Sequence, residues 1–117
     1  MMFIREELEK QASDARDALY VATMEAEEAA IEELCTRRDL ENAKNSVILA
    51  HAEDPKALGS NEAARTARIT DLTDVERKAF EGAEATTRAK RHTLALAQID
   101  WDYAKLCVRI AEIGRKP

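Results

Sequence analysis

Glu53-Asp54-Pro55-Lys56-Ala57-Leu58-Gly59-Ser60-Asn61 is the stretch on which the fold turns, because the chain from Ile4 to Ala52 ahead of it contains neither proline nor glycine. Pro55 pushes Asp54 out of the helical region and cannot extend a hydrogen-bond ladder, so a helix ends just before it. Gly59 is free to take a positive φ, and Ser60 or Asn61 can accept from the first free N–H groups of a following helix. The segment predicts a connection over residues 53–61.

Upstream, apolar residues recur in steps of three and four at Ile4, Leu8, Ala12, Ala15, Leu19, Ala22 and Ala26, the seam of an α-helix. The pattern blurs around Arg37 and Arg38 and resumes at Leu40, Ala43, Val47 and Ala50, which predicts a bend or a change of neighbour there. One helix over about residues 3–52 would be roughly 75 Å long and unstable alone.

Downstream, a short helix is predicted over about 62–72 and a second long one over about 74–113. Thr73 and Glu76 have the spacing of a capping box at its start, and Gly114 and Pro117 close its pattern. Its seam runs Val75, Ala79, Gly82, Thr86, Ala89, Thr93, Leu96, Ile99, Tyr103, Leu106, Ile110 and Ile113, with heptad-like spacing. A second apolar row, Leu94, Ala97, Trp101, Ala104, Val108 and Ala111, accompanies the last twenty residues. One partner helix cannot cover both rows.

Composition points the same way. The 117 residues include 22 alanines, only 3 glycines and 2 prolines, and 4% aromatics. Long helices packed through small side chains fit these figures, whereas a sandwich or barrel would lack turns. The fold expected is all-α: a single domain, 1–117, forming a long antiparallel helical hairpin with a short helix near the bend, coiled-coil in character. With helix ends at about 52 and 74, facing residues would have numbers adding to about 126. That alignment places Cys35 near Arg91 and Cys107 near Leu19, about 24 Å apart along the axis, too far for a bridge. Two thiols without CxxC spacing are read as reduced and packing.

A two-helix hairpin has a thin interior, so self-association into a homo-oligomeric bundle is expected, through the wide apolar face at Leu94, Trp101, Tyr103 and Val108. The competing arrangement breaks the first helix and folds it over this face within one chain.

The formal charge of −5 argues against general DNA binding, which rests on phosphate neutralisation. Its distribution is uneven: residues 1–54 are acidic and 55–117 slightly basic. No apolar run is long enough to span a bilayer, and Met-Met-Phe-Ile is followed at once by Arg5, Glu6 and Glu7, which is not a signal-peptide pattern. A cytoplasmic location is expected.

Chemistry-bearing patterns are sparse. His51 and His92 are the only histidines and neither has a glutamate three residues before it, so no metal site or cofactor is expected. The acidic run Glu25, Glu27, Glu28, Glu32, Glu33 points in several directions and is read as a solvated face. Cys35 and His92 approach one another in the expected alignment, which is read as packing; no catalytic residue and no enzyme activity are expected. Gly59-Ser60-Asn61 is an ordinary helix start or an anion cradle. Trp101 and Tyr103 are read as interface or core anchors rather than base-stacking platforms. Arg88, Lys90, Arg91 and His92, brought level with Arg37 and Arg38, would form a cationic belt for an anionic ligand, unless Glu33, Asp39, Glu41 and Glu84 neutralise it.

Asp54-Pro55-Lys56-Ala57-Leu58-Gly59-Ser60-Asn61-Glu62-Ala63-Ala64-Arg65 resembles the bend segment of small helical-hairpin accessory proteins of phages and prophages. The resemblance covers the central third of the chain and extends to the layout of a long helix, a bend and a second long helix. It implies an accessory protein acting in the host cytoplasm, and it carries no functional residues over. Together these readings give two expectations. One is a non-enzymatic oligomeric helical sponge that sequesters a small anionic or nucleotide ligand, such as a bacterial defence signal. The other is a helical adaptor or inhibitor of a host or phage nucleic-acid-processing enzyme.

Overall fold

The computed structural model describes residues 2–114, which are helical almost throughout; Pro117, read above as closing the last helix, lies outside them. Helix α1 is Met2–Ala50, a one-turn 3-10 helix covers Pro55–Ala57, α2 is Glu62–Leu72 and α3 is Asp74–Ile113. The chain is therefore all-α, with two long helices and a short one between them. α1 is unbroken through Arg37. The described residues group into two units, one of residues 2–28 with 88–114 and one of 29–87.

In the second unit α1 and α3 run antiparallel. The Thr87 hydroxyl donates to the Ala29 carbonyl at 3.1 Å, and the Arg37 guanidinium lies 5.4 Å from the centre of the Phe80 ring. Numbers of facing residues thus add to 116 and 117, not 126. The difference has a local cause. The last turn of α1 does not lie level with the first turn of α3 but beside α2, with Ile48 and His51 across a hollow from Arg65, Thr66 and Ile69. α2 takes over as the partner where α3 has not yet begun.

Ala29, Thr36, Leu40, Leu58, Thr73, Ala83 and Thr87 are buried here. Small alanine and threonine side chains let two helices approach closely, and each threonine hydroxyl is satisfied by a main-chain carbonyl. Thr36 bonds to Glu32 and Glu33, and Thr73 to Ile69. The row Ala29, Glu33, Thr36, Leu40, Ala43, Val47 keeps the three-and-four spacing without a shift, all of it buried or half-buried. The apparent blur at Arg37 arises because this row carries Glu33 and Thr36 while Ile31 and Leu34 point outward, 61% and 59% exposed.

At the bend, Leu58 is buried and Gly59 passes so close to α2 that a Cβ there would sit 2.8 Å from the backbone of Ala64 and Arg65. Asn61 caps α2, its Oδ1 accepting from the Ala64 N–H at 2.8 Å. Thr73 does not form the expected capping box. Its N–H and hydroxyl both donate to the Ile69 carbonyl and its carbonyl accepts from Arg77 N–H, so one buried residue joins α2 to α3 while serving the end of the former. Asp74 at the start of α3 pairs with Arg77 and Lys78 instead.

In the first unit the helices are again antiparallel. Lys90 Nζ lies 3.0 Å from a Glu25 carboxylate oxygen, facing residues whose numbers add to 115, and Ala12 shares a hollow with Trp101 and Val108. Ala22, Ala26 and Ala104 are buried, flanked by half-buried Leu8, Ala12, Ala15, Leu19, Leu94, Ala97, Trp101 and Val108. The face of α3 turned to α1 is thus the row of Leu94, Trp101 and Val108. The larger side chains of the heptad seam, expected to pack on α1, stand outside: Leu96, Ile99, Tyr103, Leu106, Ile110 and Ile113 are 50–67% exposed. The inner row intersperses Ala97, Ala104 and Ala111 among Leu94, Trp101 and Val108, and these alanines meet the alanines of α1 at close range, whereas the heptad row over 96–113 has no small residue to do so.

Candidate functional site

The two apolar rows of α3 define the site. Leu94, Trp101 and Val108 recur every seven residues, and so do Leu96, Tyr103, Ile110 and Ile99, Leu106, Ile113. In heptad notation the second and third sets are a and d, and the first is f, on the opposite side of the helix. Position f is occupied by α1, which leaves a and d as an apolar stripe of six exposed side chains, the first of which, Leu96, also borders a hollow lined by Ala15, Ala18 and Ala22 of α1. Of the residues assigned to a subunit contact from the sequence, Tyr103 is on this stripe; Leu94, Trp101 and Val108 are half-buried on the inner face. Lys105 covers the Trp101 ring with its ammonium 5.0 Å from the centre. Cys107, one turn on, holds the Tyr103 phenol above its ordinary pKa through hydrogen bonding and charge.

His92 occupies the d position one heptad before Ile99, and Arg88 precedes it by four residues, so the stripe continues into cations. Arg88, Arg91 and His92 are exposed, and among the described residues none has a carboxylate within ion-pair distance. Lys90 differs: it is half-buried and paired with Glu25. The shift of register is responsible, because it sets the basic segment of α3 beside Glu25, Glu27 and Glu28 rather than Arg37 and Arg38. Those two arginines belong to the other unit, Arg37 over Phe80 and Arg38 beside Asp39 at 3.4 Å. The six cations therefore fall into a group of four and a group of two. Cys35 and His92 likewise belong to different units, and both cysteines are free.

A hollow of about 430 Å³ at the bend was not anticipated. Ile48, Pro55, Leu58 and Ile69 line it, with His51, Glu62 and Arg65 at its polar edge. His51 Nδ1 donates to the Val47 carbonyl at 2.9 Å and Arg65 bonds to the Gly59 carbonyl at 3.3 Å. The overhang of α1 beside α2 creates this space, and only the register reveals it. Among the described residues no group of three histidines, cysteines or carboxylates could hold a metal ion, and no helix is long and apolar enough to cross a membrane. No family model, curated protein or solved structure matches the chain.

Proposed function

We propose that this chain is a binding protein and not a catalyst: a phage-type helical accessory protein that works as an assembly of identical copies in the cytoplasm of a host cell and sequesters a small anionic or nucleotide ligand. The observation that carries this reading is the exposed a/d stripe of α3 leading into Arg88, Arg91 and His92. A stripe of this length on a monomer marks an association surface. Cations at the end of such a contact come to lie at its rim, where the Arg88 and Arg91 guanidinium groups of one copy can hold phosphate bidentately. The residues of the bend that resemble phage accessory proteins supply the biological setting, including capture of a bacterial defence signal.

The test is a thermal-shift panel of cyclic dinucleotides, cyclic trinucleotides and ADP-ribose derivatives. One class should raise the melting temperature in proportion to the logarithm of its concentration, and Arg88→Glu with Arg91→Glu should abolish the rise. No shift at 100-micromolar-scale ligand would refute sequestration.

A second reading, an adaptor or inhibitor of a nucleic-acid-processing enzyme, is favoured by Tyr20, Val21 and Met24, which are exposed on α1 beside exposed Glu27 and Glu28. Reversing the charges of Glu25, Glu27, Glu28, Glu32 and Glu33 should then abolish capture of a specific protein partner, and unchanged capture would remove this reading.

A further inference from the structure

Resting on the reading that the chain works as an assembly, we infer that a second copy docks on the outer stripe of α3 in antiparallel orientation, with Tyr103 facing the partner's Leu106, Ile99 the partner's Ile110, and Leu96 the partner's Ile113. Three observations fix the occupant and its direction.

The first is area. Six side chains that are 50–67% exposed expose roughly 100 Å² each, so a self-contact removes about 1,200 Å² in total, the lower bound of stable specific interfaces. Both surfaces must be apolar and of heptad spacing to reach it, and a second copy of the stripe meets that requirement.

The second is register. Antiparallel helices pair a with d, and this alignment alone engages all six residues; sliding by one heptad either way leaves side chains at the ends unmatched. It is also isologous, so each contact is made twice about a two-fold axis between Tyr103 and Leu106, and the assembly closes instead of polymerising.

The third is charge. The g positions beside the stripe are Ala95, Asp102 and Arg109. Antiparallel pairing brings g against g, setting Asp102 beside the partner's Arg109 and Arg109 beside the partner's Asp102. Parallel pairing brings g against e, setting Ala95 beside the partner's Asp100, Asp102 beside the partner's Cys107 and Arg109 beside the partner's Gly114, so no opposite charges meet. Arg109 has no carboxylate within ion-pair distance among the described residues, while Asp102 already receives Lys105 at 3.4 Å and Gln98 at 3.1 Å. The orientation is set by the placement of these two groups, as e and g charges set partner direction in coiled coils generally.

Disulfide trapping in the full-length chain with Cys35→Ser and Cys107→Ser tests this. Ile99→Cys alone and Ile110→Cys alone should give no covalent dimer under mild oxidation, whereas a mixture of the two should give the 99–110 cross-link. Asp102→Arg should weaken self-association at least several-fold, and adding Arg109→Asp should restore it. Cross-linking by Ile99→Cys alone shows a parallel pair and overturns this inference while self-association stands. A mass of one chain at every concentration overturns both. Ile99, Asp102, Arg109 and Ile110 are exposed while Cys35 and Cys107 are half-buried, so folding of the Cys35→Ser, Cys107→Ser background and of each variant in it is checked by unchanged helical circular dichroism.

Discussion

Replacing Thr87 by valine removes one buried hydroxyl from the α1–α3 contact at the end of the second unit and leaves its shape intact. Thr87 is 1% exposed, and its hydroxyl hydrogen is shared between the carbonyls of Ala29 at 3.1 Å and Ala83 at 3.0 Å. The bond to Ala29 joins α1 to α3, and both carbonyls retain an intrahelical partner, so the substitution strands no acceptor. The expected loss is that of the hydrogen bond itself, about 0.5–1.5 kcal/mol. Thr87→Ala also removes a buried methyl group and should lose about 1.5–2.5 kcal/mol. Thr86 supplies the control, since it is exposed and its hydroxyl bonds only within its own helix to Gly82, so Thr86→Val should stay within about 0.5 kcal/mol of the parent. Urea titration followed by circular dichroism measures all three. A Thr87→Val variant as stable as the parent, or more stable, would show instead that the hydroxyl is buried without a bond to Ala29, and the 116 register would lose its clearest contact.

Gly59→Ala should destabilise by about 1–3 kcal/mol, because the added Cβ meets backbone atoms of Ala64 and Arg65 at 2.8 Å that cannot swing aside; the urea midpoint reads it. Leu40→Ala, at a site 6% exposed, should lose about 2–4 kcal/mol by the same assay. The Asp74 carboxylate is held below its ordinary pKa chiefly by its hydrogen bond with Lys78, which outweighs the opposing effect of desolvation, with the charges of Lys78 and Arg77 adding to the lowering. Its ionised form therefore stabilises the folded chain above the ordinary aspartate range, and that contribution fades as pH falls through the lowered value. The stability gap between the parent and Asp74→Asn should accordingly be constant from pH 7 down to about 5 and close toward pH 2, as pH-dependent urea midpoints will show.

The helices and the bend were legible because their signals are local. Pro55 ends α1, Asn61 caps α2, and Leu8 through Ala26 mark the inner face of α1 at fixed spacing. What the sequence concealed depends on comparing sites far apart. Glu33 and Thr36 are inner-face residues that hydrophobicity alone assigns outward, while Ile31 and Leu34 are the reverse. The heptad row of α3 is large and apolar at every position over 96–113 and so dominates a periodicity reading, yet α1 takes the row in which Ala97, Ala104 and Ala111 alternate with Leu94, Trp101 and Val108, because the interspersed small side chains permit closer packing. The cationic group lost Arg37 and Arg38 for a related reason: a register ten residues different follows from α2 lying beside the end of α1, which no local pattern announces.

α3 carries one apolar face packed on α1 and a second that is exposed, the proposed seat of another copy. Light-scattering mass across micromolar to millimolar concentration tests it most directly, using the parent chain and Ile99→Glu with Leu106→Glu. The expected mass is at least twice 13.1 kDa for the parent and 13.1 kDa for the doubly substituted chain, with equal helicity. A parent chain that stays at 13.1 kDa throughout the range would contradict it.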